Sequence, residues 1–188
     1  MKDPNLLKNY KNYINKNIAL IGHMGSGKTL IGKMIAKEFK ILHIDSDKMI
    51  TKIAKKTINQ IFKDEGEIEF RKIEERIILK LNHDKKFVLS LGGGSILSKK
   101  IRNLLNKKFI TLFIDVDLSE LTKRLNESKK RPLLANVNIK DKIKELDIIR
   151  RKYYLLADIK IENCGNAIDA LKLFLKKYND LNEENNKN

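Results

Sequence analysis

A single cysteine, few arginines and no long apolar run characterise this 188-residue sequence. Cys164 alone cannot form an internal disulfide, and no second Cys or His stands at zinc-ligand spacing, which suits a reducing compartment, the cytoplasm, without a structural metal. Met1 to Asn17 alternates Lys, Asn and Tyr with isolated Leu and Ile, and so lacks the continuous apolar segment of a secretory signal. No run approaches the ~20 apolar residues that span a bilayer, so no membrane partner is expected. Of 40 basic residues 7 are Arg, and the Lys are spread over nearly every segment. The net charge of +16 therefore comes without a basic stripe interleaved with aromatics. That scatter reads as solvated surface rather than a nucleic-acid footprint.

What is present fits one core. At 188 residues and 41% hydrophobic content, the length favours a single domain over 1–188. Asn17 to Gly22 is a short apolar run ending in glycine, and Thr29 to Lys40 has helical spacing through Ile31, Ile35, Ala36 and Phe39. Ile41 to Asp45 reads as a second strand, followed by helical segments with a break near Lys56 and Thr57 and another around Gly66. Phe87 to Leu91, Lys108 to Asp115 and Ala157 to Glu162 complete five strands, with helical patterns in every gap. Strands alternating with helices imply a parallel sheet covered on both faces, because parallel neighbours need crossover connections. Ligands in such sheets bind beyond the carboxyl ends of the strands, where Gly22, Asp45 and Gly92 all fall. The core is expected over about 17–178, with 1–16 and 179–188 as loosely packed extensions.

Gly22 to Thr29 spells GHMGSGKT, the G-x-x-x-x-G-K-[ST] pattern, between a strand and a helix as that motif requires. Gly22, Gly25 and Gly27 let the loop turn its backbone N–H groups, Ser26 included, towards phosphate oxygens. Lys28 then reaches the β- and γ-phosphates, the Thr29 hydroxyl is a magnesium ligand, and the positive end of the following helix adds attraction. A nucleotide follows from this loop; a reaction does not.

The acceptor side is read from three further groups. In Asp45-Ser46-Asp47, strand alternation would point the two carboxylates the same way, Asp45 towards magnesium and Asp47 towards an attacking hydroxyl. The alternative is that Asp45 and Ser46 simply cap the next helix. Arg71 and Glu74 lie three apart on one helical face, so the carboxylate can hold a guanidinium fork for an anionic ligand; a surface ion pair is the other reading. Gly92-Gly93-Gly94 directly follows a strand, and three glycines there imply close approach of a ligand to the backbone. Ser90, two residues earlier, is either near the magnesium shell or a strand serine bonded to backbone.

With these motifs in place the chain resembles the shikimate kinase family over about Asn17 to Lys177. GHMGSGKT, Asp45-Ser46-Asp47, Gly66-Glu67-Ile68-Glu69-Phe70-Arg71-Lys72-Ile73-Glu74, the triple glycine, Arg131-Pro132-Leu133-Leu134 and the run from Arg150 to Asp158 occur in the family's order. The resemblance implies a three-layer α/β/α P-loop kinase fold with strand order 2-3-1-4-5 and a mobile lid over about 126–140. It implies transfer of the γ-phosphoryl of ATP to the 3-hydroxyl of shikimate, on the aromatic amino-acid (chorismate) pathway, with Mg2+ as cofactor. Asp47, Arg71, Gly93, Gly94 and Arg150 would hold shikimate, and Lys28, Asp47 and Arg131 would carry the chemistry. ATP would meet Gly25, Ser26, Gly27, Lys28, Thr29, Arg124 and Arg131, with Thr29 and Asp45 on the metal. A monomer is expected.

Two departures from the family pattern stand out. The family places three residues between Tyr and Ala-Asp, whereas here Leu155 and Leu156 alone separate Tyr154 from Ala157, so that Arg150 is favoured and Arg151 is the alternative ligand. Thr51 stands where many members have Glu. Four of the seven arginines nevertheless fall on motif positions. Two competing functions remain: a related small-metabolite kinase such as a gluconate kinase, and a non-catalytic nucleotide- or RNA-binding module. The acceptor residues separate the first from shikimate kinase, and Lys28, Asp47 and Arg131 count against the second.

Overall fold

Apolar runs flanked by helices become a parallel sheet because each helix carries the chain back to start the next strand in the same direction. In the computed structural model, which describes residues 15–126 and 138–185, the order is β1 (Asn17–Ile21), α1 (Lys28–Glu38), β2 (Leu42–Asp45), α2 (Ser46–Ala54), α3 (Ile58–Asp64), α4 (Gly66–Leu79), β3 (Phe87–Ser90), α5 (Lys99–Lys108), β4 (Phe109–Asp115), α6 (Leu118–Asn126), α7 (Ile139–Tyr154), β5 (Ile159–Glu162) and α8 (Ala167–Asn185). A short 3-10 turn, Ser95–Leu97, precedes α5. The five strands pair in parallel in the order β2-β3-β1-β4-β5, as the family resemblance implied.

Position in the sheet explains the burial of each strand. β1, β3 and β4 are buried at every residue, as strands sandwiched between two helix layers must be, while the edge strand β5 alternates buried and exposed positions. Ile18 and Leu20 face one layer with Ile31, Leu112, Phe174 and Tyr178; Ala19 and Ile21 face the other with Leu89, Phe113 and Tyr154. A third, small cluster of Ile50, Ile61, Phe70 and Ile77 belongs to α2, α3 and α4.

The helix breaks fall where the sequence places them. Lys55 ends α2 in the left-handed region, at φ 52°. Thr57 opens α3 with a reciprocal capping box: its Oγ1 accepts from Gln60 N at 3.2 Å, and Gln60 Oε1 accepts from Thr57 N at 2.8 Å. Gly66 then separates α3 from α4 at φ 81°. α8 continues as a helix through Asp180 to Asn185. Phe174, Leu175, Tyr178 and Leu181 form one helical stripe against the core, so the periodicity outlasts the drop in overall hydrophobicity. No described helix is long and apolar enough to cross a membrane.

The shortened spacing after Tyr154 is absorbed in the turn between α7 and β5, where the N–H of Ala157 bonds the Tyr154 carbonyl at 3.2 Å. Asp158 then ties β5 to β4: its Oδ2 accepts from both Thr111 N and Thr111 Oγ1 at 2.7 Å, and its own N–H donates to Thr111 Oγ1 at 3.0 Å. Asp158→Ala leaves the Thr111 amide without its acceptor. It should lower stability by about 1–3 kcal/mol in urea denaturation, with turnover per folded molecule unchanged.

Candidate active site

The loop from Gly22 to Gly27 folds back over the end of β1. Gly22, at φ 138°, admits no side chain: a Cβ there would sit 2.6 Å from the Ile114 carbonyl oxygen. Lys28, in the first turn of α1, is nearly buried and curls into the loop, where its Nζ donates to Gly22 O at 2.8 Å and His23 O at 2.6 Å. Thr29 Oγ1 donates to Asp45 Oδ2 at 2.7 Å, which brings the two expected metal ligands together. Asp45 also caps α2 by accepting from Lys48 N at 3.2 Å, so the capping and metal-site readings are compatible. Ser26 is buried, and its carbonyl accepts from Asn163 Nδ2 at 2.9 Å. Gly25 O lies 3.4 Å from Arg124 Nη1, and the same guanidinium reaches Asn163 O at 3.2 Å. Arg124 therefore bridges the loop and the end of β5 at the expected nucleotide mouth.

Asp47 is reached by a different geometry from the one expected. β2 ends at Asp45 and Asp47 lies in the first turn of α2, so the two carboxylates are not on one extended strand. Both nevertheless line the crevice beside Lys28 and Thr29. Asp47, with Met24, Gly92 and Gly93, also lines a second crevice that contains Arg71, Glu74, Gly94 and Arg150. The phosphate loop and the acceptor residues thus open onto two spaces that meet at Asp47.

In the second crevice two guanidinium groups are held in opposite ways. Arg71 Nη1 donates to Glu74 Oε2 at 2.7 Å and its Nη2 to Glu67 Oε1 at 3.0 Å. Burial opposes the Arg71 charge, yet the Glu74 and Glu67 carboxylates outweigh it and raise its pKa. Glu74 is itself buried and held by Ser95 Oγ at 2.5 Å; burial pushes its pKa up against the pull of Arg71. Arg150 is 1% exposed, and its Nε and Nη1 find no hydrogen-bond partner among the described residues. Burial lowers its pKa, Tyr154 offsets part of that, and Arg71 adds repulsion. A buried cation with donors unmet by the described residues has the chemistry that an anion would satisfy. The triple glycine is the wall behind both groups: a Cβ on Gly94 would collide with the Arg71 guanidinium, and one on Gly93 would stand 3.3 Å from Arg150 Nη1. The close approach inferred from these glycines is made by the chain's own arginines.

Arg151 is turned elsewhere, with its Nη2 on Asp115 Oδ2 at 2.9 Å, so Arg150 and not its neighbour enters the crevice. Ser90 donates to Lys28 O at 3.1 Å and lies 2.9 Å from His43 Nε2, as a strand serine bonded to backbone. Thr51 Oγ1 bonds the Lys48 carbonyl within α2, away from both crevices. Arg131 and nearly all of the expected lid lie outside the described residues.

Three participants escaped the sequence reading. Asn163 sits at the end of β5, where the strand-end rule applied to β1 to β3 would have found it. Tyr154, four residues after Arg150 on α7, is buried and its hydroxyl donates to Gly93 O at 2.5 Å, with its pKa pushed up to about 12 by burial. His23 occupies a position the loop motif leaves free, and no signal in the motif marks it.

Comparison with known proteins agrees with this geometry. The family model for shikimate kinase matches residues 24–176. The chain is 41% identical to the shikimate kinase of Actinobacillus pleuropneumoniae serotype 5b (strain L20) over 148 residues, 78% of this chain and 86% of that protein. It is 35% identical to that of Bartonella quintana (strain Toulouse) over 177 residues, 90% and 83% of the two chains. A solved structure, shikimate kinase from Acinetobacter baumannii in complex with shikimate, has a TM-score of 0.81 at 32% identity and covers 90% of this chain and 94% of its own.

A buried guanidinium with two donors unmet among the described residues makes a measurable demand on the ligand-free fold. Arg150→Met keeps the bulk and removes the charge, and should stabilise the ligand-free protein by about 1–3 kcal/mol in urea denaturation. A less stable variant would show that Arg150 is a structural anchor and not a site kept ready for an anion.

Proposed function

The chain belongs to the shikimate kinase family, and from this we propose how its own residues move the γ-phosphoryl of ATP to the 3-hydroxyl of shikimate to give shikimate 3-phosphate. The observation that carries the assignment is the meeting of the two crevices at Asp47, with the phosphate loop on one side and two arginines on the other. Such transfer depends on positioning and charge neutralisation more than on covalent chemistry.

Arg71 and Arg150 grip the acceptor carboxylate. Arg71 offers a fork fixed by Glu74 and Glu67; Arg150 offers donors that gain a partner when the anion arrives. The Gly93 and Gly94 backbone supports the ring. Asp47 accepts a hydrogen bond from the attacking hydroxyl, orients it and takes its proton. Lys28 leaves the Gly22 and His23 carbonyls to meet the β- and γ-phosphates, while the amides of Gly25, Ser26 and Gly27 cradle the phosphates. Arg124 lies against the adenine, and the Arg131 charge stabilises the transferring group.

The donor set suits magnesium brought in on ATP. Thr29 and Asp45 supply two hard oxygens at the phosphate mouth, and no group of three or more His, Cys, Asp or Glu among the described residues could hold a metal alone. Magnesium commonly takes one or two protein oxygens and fills its shell with phosphates and water. Its contribution would be to neutralise charge on the β- and γ-phosphates. Both crevices are built by one chain, which supports action as a monomer, and the lone exposed Cys164 fits the cytoplasm.

The test is ADP release with shikimate, gluconate, quinate and nucleoside monophosphates offered separately; turnover confined to the last three would reject the assignment. Asp47→Asn should lower kcat by about 10²- to 10⁴-fold while ATP still binds. Arg71→Ala should raise KM for shikimate about 10- to 100-fold, the loss of a charged hydrogen-bond pair, with a smaller change in kcat.

A further inference from the structure

We propose that His23 is a positioning residue for the transfer, an imidazole that sets the distance between the phosphate loop and the face of α7 that carries Arg150. The loop motif asks nothing of this position, yet the chain buries a polar ring there, leaving 4% of it exposed. Its Nε2 lies 2.8 Å from Asp147 Oδ1 on α7. A carboxylate offers acceptors only, so Nε2 carries the proton and donates it. The ring also packs edge-on against Tyr154, with centroids 5.1 Å apart and planes at 82°.

The helix phase gives these contacts their meaning. Asp147, Arg150, Arg151 and Tyr154 are spaced i, i+3, i+4 and i+7, so they share one face of α7. His23 touches the first and last of the four. Between them, Arg150 enters the acceptor crevice, and Arg151 bonds Asp115 and reaches Asp147 Oδ1 at 3.5 Å. Tyr154 passes the contact on to the acceptor wall through Gly93 O. On the other side, the main chain that His23 anchors supplies both carbonyls on which Lys28 Nζ rests. Burial keeps the His23 pKa below its ordinary value; Asp147 works against that, and Arg150 and Lys28 reinforce it, so a neutral ring with one donor fits its surroundings.

Each substrate retains its own contacts if His23 is lost: Lys28 and Thr29 for the nucleotide, Asp47, Arg71 and Arg150 for the acceptor. What changes is the separation of the two sets, and a shift of about 1 Å in a reacting pair costs about 10²-fold in rate. The signature is therefore a fall in kcat rather than a rise in KM.

This inference rests on the shikimate kinase reading. His23→Leu, His23→Gln and Asp147→Ala are compared with the parent in turnover with ATP and shikimate, and in amide hydrogen exchange without ligands. His23→Leu should lose about 10- to 100-fold in kcat with each KM within about 3-fold. His23→Gln places an amide N–H donor at similar reach and should recover kcat to within about 3-fold of the parent. Asp147→Ala should speed exchange at the amides of 22–29, although the substitution lies on another element. Parent-like kcat in folded His23→Leu overturns the proposal, as does a loss in His23→Gln equal to that in His23→Leu. Should His23→Leu not fold, Asp147→Ala supplies the same kinetic comparison. A parent without shikimate-dependent turnover counts against the reaction, and the exchange data still decide on His23: unchanged 22–29 amides in Asp147→Ala refute the link.

Discussion

Because all five strands run the same way, their carboxyl ends share one edge, and the phosphate loop, Asp45, the triple glycine and Asn163 all lie at or just beyond a strand end, while Arg71, Arg124 and Arg150 come from helices. The register makes this quantitative: Asp45 pairs with Ser90, Ser90 with Leu20, and Asp115 with Glu162, so β2, β3 and β1 end within one residue of each other and β4 ends level with β5, while β4 runs two residues past the Ile21–Phe113 pair that ends β1. Gly22, Asp45, Gly92 and Asn163 follow from that levelling. The phosphate loop leaves the middle strand, with the acceptor wall beside it on β3 and the nucleotide mouth towards β5. A sheet with antiparallel strands would scatter the same residues to opposite edges.

Attached to that edge is a deliberate imbalance of charge. Arg71 is compensated twice over, whereas Arg150 stands buried beside it with open donors and a like-charged neighbour. Burial opposes the Arg150 charge and leaves two of its donors unmet among the described residues, a cost that the proposed anionic acceptor would offset. Stability of the empty protein and grip on the acceptor are therefore opposed at this residue. Glu74 belongs to the same arrangement, since burial makes its carboxylate dependent on Arg71 and Ser95 and fixes both in turn.

Most of the fold could be read from residue patterns, and so could many of the residues that line the two crevices. Apolar runs and glycine breaks located the strands and helices because local periodicity and tertiary burial agree there. The phosphate loop was legible because its backbone path dictates its glycines. Asp47 was identified on a mistaken geometry: the pattern took it for a strand residue, while Asp45 had already begun a helix. Arg150 and Arg151 could not be separated by spacing alone, since a one-residue step on a helix turns a side chain by about 100° and only packing fixes the phase. Asn163 was within reach of the strand-end rule, whereas His23 stayed hidden because its partner, Asp147, lies 124 residues away in the chain. Pairings over such distances leave no trace in a local pattern.

The small cluster of Ile50, Ile61, Phe70 and Ile77 gives the acceptor side an interior of its own, apart from the two that flank the sheet. Asp47 and Arg71 ride on the helices that this interior holds together. A lineage could therefore rewrite α2 to α4 and change the molecule it phosphorylates while leaving the nucleotide machinery intact. The chain is in this sense two separately packed parts, joined at the residue where the two crevices meet.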